Sequence, residues 1–256
     1  MMTALELAAL ALAAFSWLGL AQAAEGKGHG FLDRTHRDPD GQEAKYILFV
    51  PHVYRGDKPP PLILALHGAG ETGKDGRRQV VVGLGPAVRQ REKSFPFLVI
   101  FPQSQKRTWQ ANSADAQRAL AILAEVEKEY KVDHRRVYLT GISMGGFGTW
   151  SLAAKYPERW AAIVPVCGGG DPKQADKIKN IPCWCFHGAA DRVVSPQRSR
   201  AMMKALWAAG GHPNYTEYAN VGHNSWDKAY ATPDLYEWML QFHLKNKSGA
   251  PASGGR

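Results

Sequence analysis

Beyond residue 43 the chain alternates between short apolar runs and longer stretches where apolar residues recur every three or four positions. Residues 46–50, 62–66, 97–101, 137–140, 161–167, 182–186 and 215–219 are runs of the first kind. Most are unbroken Val, Ile, Leu and Phe rather than alternating, which is the pattern of strands covered on both faces. Between them, residues 113–131 place Ala119, Ile122, Leu123, Val126 and Tyr130 on one helical face, with Ser113 as N-cap and Asp115 in the first turn. Residues 144–156, halted by Pro157, and residues 197–209 and 234–244 read as further helices. Strand and helix in alternation predict one α/β domain over residues 44–244, a mainly parallel sheet with helices on both faces.

The flanks differ. Residues 24–43 are polar and contain Gly and His, and read as a mobile lead-in; residues 245–256, rich in Gly, Ser, Pro and Lys, read as a disordered tail. From Leu7 to Ala21 the chain is apolar apart from Ser16, and Ala21-Gln22-Ala23 offers a small-x-small cleavage pattern. This predicts a signal peptide over residues 1–23 and a secreted or periplasmic protein. Glu6, with no Lys or Arg before the apolar run, departs from the usual positive start, so a retained anchor or a misassigned start codon are the alternatives. After residue 25 no stretch is long and apolar enough to span a bilayer, so no stable membrane insertion of the domain is expected.

Composition is that of an ordinary globular protein, 45% hydrophobic and 21% charged. Without residues 1–23 the chain keeps 32 Lys+Arg against 22 Asp+Glu (23 − 1, for Glu6), a net +10. The basic residues are scattered, as on a solvated surface, and form no concentrated stripe for nucleic acid. Cys167, Cys183 and Cys185 all lie in apolar segments and read as small buried hydrophobes, at least one of them a free thiol because the number is odd.

Chemistry first enters at residues 137–150, VYLTGISMGGFGTW. A β-branched strand runs directly into Gly141-Ile142-Ser143-Met144-Gly145 and then into a helix. A serine on so tight a turn projects its hydroxyl, and side chains at the two flanking positions would collide, so both are Gly. A serine hydroxyl needs an imidazole to take its proton. On such sheets the order along the chain is Ser, acid, His, with the base on a loop after the last strand. His223 meets that requirement. His212 precedes the last strand, His243 lies in the terminal helix, and His67 and His187 are assigned to local hydrogen bonding. Asp191, directly after an apolar run, is the acid that would orient His223, with Asp171 and Asp227 as rivals. Acyl transfer also needs backbone N–H groups aimed at the developing oxyanion. Met144 supplies one, and Ala69 in the His67–Glu71 loop the other, with Gly70 as the alternative. Trp109 and Trp226 are loop aromatics that either line a substrate pocket or simply pack.

Four segments, LHGAGE (66–71), VDHRRVYLTGISMGGFGTW (132–150), HGAADRVV (187–194) and GHNSWDKAY (222–230), carry a resemblance. The chain resembles the esterase branch of the α/β-hydrolases related to polyhydroxybutyrate depolymerases, feruloyl and acetylxylan esterases, and phospholipase/carboxylesterase-like proteins. The resemblance implies the α/β-hydrolase fold and hydrolysis of short-chain or polysaccharide-linked (acetyl or feruloyl) esters through an acyl-enzyme. It calls for no metal or other cofactor, and for a small-molecule or polysaccharide ester as the partner; oligomeric state stays open. Two other readings share the fold. One is a serine peptidase of the prolyl oligopeptidase-like group, disfavoured because no propeller-sized region precedes the motif. The other is a non-catalytic binding protein, disfavoured because Ser, Asp and His are all present.

Overall fold

The computed structural model describes residues 28–245 of the chain. The expected signal segment, and all but Lys245 of the expected tail, lie outside the described residues. Eight strands form one sheet: β1 (Gly30–Arg37), β2 (Glu43–Val50), β3 (Leu62–Leu66), β4 (Leu98–Pro102), β5 (Val137–Ile142), β6 (Ala162–Val166), β7 (Trp184–Gly188) and β8 (Asn214–Tyr218). Their order is β1-β2-β4-β3-β5-β6-β7-β8. β1 and β2 run antiparallel to their neighbours, and every pairing from β4 onward is parallel. This is the α/β-hydrolase fold.

The continuously apolar strands are covered on both sides because successive residues face opposite ways. Leu62, Leu64 and Leu66 of β3 join one core, with Leu139 of β5 and with Ile122, Leu123 and Val126 of a long helix. Ile63 and Ala65, between them, join the other core with Tyr138, Val164 and Tyr230. The helices are α1 (Leu84–Gln90), α2 (Ala114–Tyr130), α3 (Met144–Lys155), α4 (Ala175–Ile178), α5 (Gln197–Ala208), α6 (Trp226–Ala231) and α7 (Leu235–Leu240). Ser113 caps α2 by accepting from the Ala116 amide at 3.2 Å, as its sequence position predicts.

The reading of residues 24–43 as mobile is corrected for the part that lies within the described residues, 28–43. Residues 30–37 form β1, which pairs along its whole length with β2. The strand escapes a hydrophobicity pattern because it is polar. It is held by ladder hydrogen bonds and by side-chain pairs to its neighbours: Arg34 with Glu129, His36 with Glu125, and the Arg89 guanidinium over the Phe31 ring. The strand expected at 182–186 lies two residues later, with Cys183 making only an isolated bridge to Ile163. The helix expected at 234–244 is shorter, α7 ending at Leu240. All three cysteines are buried and free. No helix among the described residues is long and apolar enough to cross a membrane.

Candidate active site

Ser143 sits between β5 and α3 with φ 52° and ψ −116°. A positive φ is costly for a residue with a side chain, and such strain persists where surrounding packing imposes it. Here the packing can be named. A Cβ at Gly141 would lie 2.3 Å from the Gly145 carbonyl oxygen, and one at Gly145 would lie 2.1 Å from that of Leu66. The Ser143 amide donates to Val166 O at 3.0 Å, which ties the turn to β6.

Three side chains from three loops meet there. His223 Nε2 lies 2.9 Å from Ser143 Oγ, and His223 Nδ1 lies 2.7 Å from Asp191 Oδ2. The other Asp191 oxygen accepts from the amides of Val193 (2.9 Å) and Val194 (3.0 Å). Burial alone would raise the Asp191 carboxyl, but the bond from His223 and these two amides outweigh it and hold the group below the usual carboxylate range. Asp191 therefore stays ionised, and its charge favours the His223 tautomer with the proton on Nδ1 and Nε2 free to accept from Ser143. The rivals lie elsewhere. Asp171 caps a short 3-10 helix, accepting from Lys173 N at 3.0 Å, and Asp227 contacts Asn224.

His67 and His187 are spent locally. His67 Nε2 accepts from the Ser104 amide (2.9 Å), so Nδ1 carries the proton and donates to Gly68 O (2.6 Å). Burial pushes its pKa down to about 4, so the ring stays neutral. His187 Nε2 donates to Val194 O (2.9 Å) and lies 3.2 Å from Asp191 Oδ2, while Nδ1 accepts from Ser199 Oγ (2.7 Å). Cys167, Asp191 and His223 form a group whose donor atoms lie within 4.8 Å of one another. Burial pushes the Cys167 thiol up to about 12, so it is neither a ready nucleophile nor a ready metal ligand. A metal held there would also take apart the bond between residues 191 and 223.

Ala69 and Met144 are each the first residue of a helix, Ala69–Glu71 being a 3-10 turn, so their N–H groups have no intrahelical acceptor. Both line one open cavity of about 350 Å³ with Ser143; Gly70 does not. Glu71 curls back over this loop, and burial, only partly opposed by the amides of Gly68 and Glu71, holds its carboxyl above the usual range. Trp109 is in the cavity wall but 1% exposed, its N–H on His67 O at 3.0 Å and its ring edge-on to that histidine. Trp226 is not among the lining residues; it packs edge-on against the His223 ring, with centroids 5.4 Å apart.

The sequence matches the dienelactone hydrolase family over residues 42–229, a span that contains Ser143, Asp191, His223, Ala69 and Met144. The chain belongs to that family. It is 32% identical over 112 residues to the bifunctional acetylxylan esterase/xylanase of Neocallimastix patriciarum, covering 42% of this chain and 16% of that protein. It is 25% identical over 201 residues to poly(3-hydroxyalkanoate) depolymerase C of Paucimonas lemoignei, covering 71% and 44%. A solved structure of a thermostable esterase superposes with a TM-score of 0.77 at 35% identity, covering 83% of this chain and 63% of that one. The chain spans less than two thirds of each of these relatives.

For this member of the family, sequence reasoning passes over several residues at the site. Phe147, one helical turn past Ser143, lines the cavity together with Arg107, Thr108 and Gln110. The i, i+4 spacing on α3 was the available signal for Phe147; the 107–110 loop carried none beyond Trp109. Asp115, read as a first-turn acid of α2, instead turns inward. It accepts from Ser104 Oγ (2.6 Å) and Lys106 N (2.7 Å), and from Arg118 at 3.1 Å, while Ser104 N holds His67. This chain of bonds fixes the 104–110 loop against the loop carrying Ala69.

Proposed function

We propose that the protein is a serine carboxylesterase in which Ser143 is the nucleophile, His223 the general base and Asp191 the group that orients it. The observation that carries this reading is the continuous run of hydrogen bonds from Asp191 through His223 to a serine held at positive φ, with two helix-start amides that lack an intrahelical acceptor on the same cavity. Ser143 Oγ attacks the ester carbonyl as His223 Nε2 takes its proton, and the carbonyl oxygen, now negative, is received by the N–H groups of Ala69 and Met144. His223 returns the proton to the departing alkoxide, leaving an acyl-serine. Water then repeats the cycle, and the carboxylic acid leaves. Asp191 stabilises the imidazolium formed in each half and keeps the ring turned. Trp226 acts on the ring rather than on substrate, and Trp109 stiffens the loop carrying Ala69.

Substrates in this reading are short-chain or polysaccharide-linked acetyl or feruloyl esters, in keeping with the acetylxylan esterase name of one relative. Export with cleavage near Ala23 belongs to the same proposal, and N-terminal sequencing of secreted protein tests it. Hydrolysis of 4-nitrophenyl acetate tests the chemistry. Ser143→Ala is expected to reduce kcat by about three orders of magnitude or more. A variant that turns over like the parent would overturn the assignment.

A further inference from the structure

The geometry points to a second binding site beside the first, a subsite for an acidic oligosaccharide, that is, a sugar chain bearing a uronate carboxylate. It rests on the esterase reading only in taking that chain to be the alcohol side of the ester; binding itself needs no catalysis. A cavity of about 450 Å³ runs along α3, away from Ser143. Phe147 and Gln110 line both this cavity and the one at Ser143, so the two are contiguous. From Phe147 the new cavity passes Trp150, Ser151 and Ala154 to Lys155, along about two turns of the helix, or roughly 12 Å. That is enough for more than one sugar ring.

Its far wall is glycine for a steric reason. A Cβ at Gly170 would come within 2.9 Å of Met202 Sδ and of Trp150 Cβ, so any side chain there would drive into the wall.

The lining has a chemical bias. Lys155, Lys177 and Arg198 contribute three cations, and none of them is ion-paired with a carboxylate among the described residues. The one acid, Asp171, already has an oxygen on the Lys173 amide. Gln110, Asn112 and Gln174 add amide donors and acceptors. Arg198 lies over the Phe147 ring, 5.5 Å from its centroid, so a cation stands at the junction of the two cavities. A hydroxyl-rich chain with a carboxylate answers both features: oxygen partners for the amides, and an anion for the three cations. A neutral sugar chain would leave the cations unused.

Binding is measured by calorimetry on the full chain carrying Ser143→Ala, which separates it from turnover. The probe is xylotetraose bearing one glucuronic acid branch, with unbranched xylotetraose as its neutral counterpart. The acidic probe is expected to bind about tenfold more tightly or better. The preference should shrink as salt rises from low levels to about 0.5 M, because exposed cations are screened. Lys155→Gln and Lys177→Gln, at exposed positions where folding is not at stake, should each lower the preference while leaving Tm unchanged. Equal affinity for the two probes, or a preference that survives both substitutions and high salt, would overturn the proposal. Absence of esterase activity with the preference intact would instead remove the reading of Ser143 and leave the subsite standing.

Discussion

At the scale of single residues the site is governed by a few contacts that leave no alternative. Gly145 cannot become Ala without a collision at 2.1 Å with a β3 carbonyl, and it is this closeness that holds Ser143 at φ 52°. Such constraints are local and steric, and so Gly-x-Ser-x-Gly could be read directly from residues 141–145. Asp191 was legible as a candidate because its loop follows an apolar strand, and His223 because the order Ser, acid, His puts the base after the last strand, although that strand, NYTEY, is only half-buried. In the proposed mechanism the Asp191 carboxylate works as a charge. Asp191→Asn keeps the shape but removes the preference for a proton on His223 Nδ1. The account predicts a fall in kcat of about three to four orders of magnitude with little change in KM, read by steady-state kinetics on 4-nitrophenyl acetate. Near-parent turnover would mean that the ring is oriented by something else. Arg107, Thr108 and Gln110 were not legible, because their nearness to Ser143 depends on how a loop folds over a sheet and not on spacing along the chain.

At the scale of elements, hydrophobic periodicity locates what is buried on both faces and misses what is polar or short. β3 was found at both ends, whereas β1 was not seen at all, because GFLDRTHR offers an edge strand little apolar surface. α1 and α6 were missed because seven and six residues give too few turns for a stripe to declare itself. The polar links between elements were also invisible, and they matter to the site. Arg118 of α2 holds Asp38, just past β1, through both carboxylate oxygens and contacts Asp115 as well, and Asp115 carries the Ser104–His67 connection. Its side chain is 8% exposed, so removing the guanidinium takes the shared cation from two poorly hydrated acids. Arg118→Met is expected to cost about 3–5 kcal/mol, a fall in Tm on the order of 10 °C for a domain of this size. Calorimetric melting checks it; an unchanged Tm would show that the network bears no weight.

At the scale of the whole molecule, a chain of net charge +9 is folded around histidines that must stay neutral. His67 in the native state takes a proton only near pH 4, whereas an unfolded imidazole does so near 6.5. Between those values the unfolded chain binds the proton first. Stability therefore declines as pH falls from about 6.5 to about 4, by up to roughly 3 kcal/mol from this group alone. His187, also lowered by burial, adds to the decline in the same direction. Denaturant unfolding across that range measures it, and a flat profile would contradict the neutral, buried state of these rings. The same sheet that buries them brings the ends of β5, β7 and β8 together, and the central claim is that this convergence makes one serine reactive. Treatment with a fluorophosphonate ester, followed by peptide mass spectrometry, tests that claim most directly. The account predicts a single phosphonylated serine, Ser143, with labelling lost in His223→Ala; modification of a different serine, or none under conditions where 4-nitrophenyl acetate is hydrolysed, would contradict it.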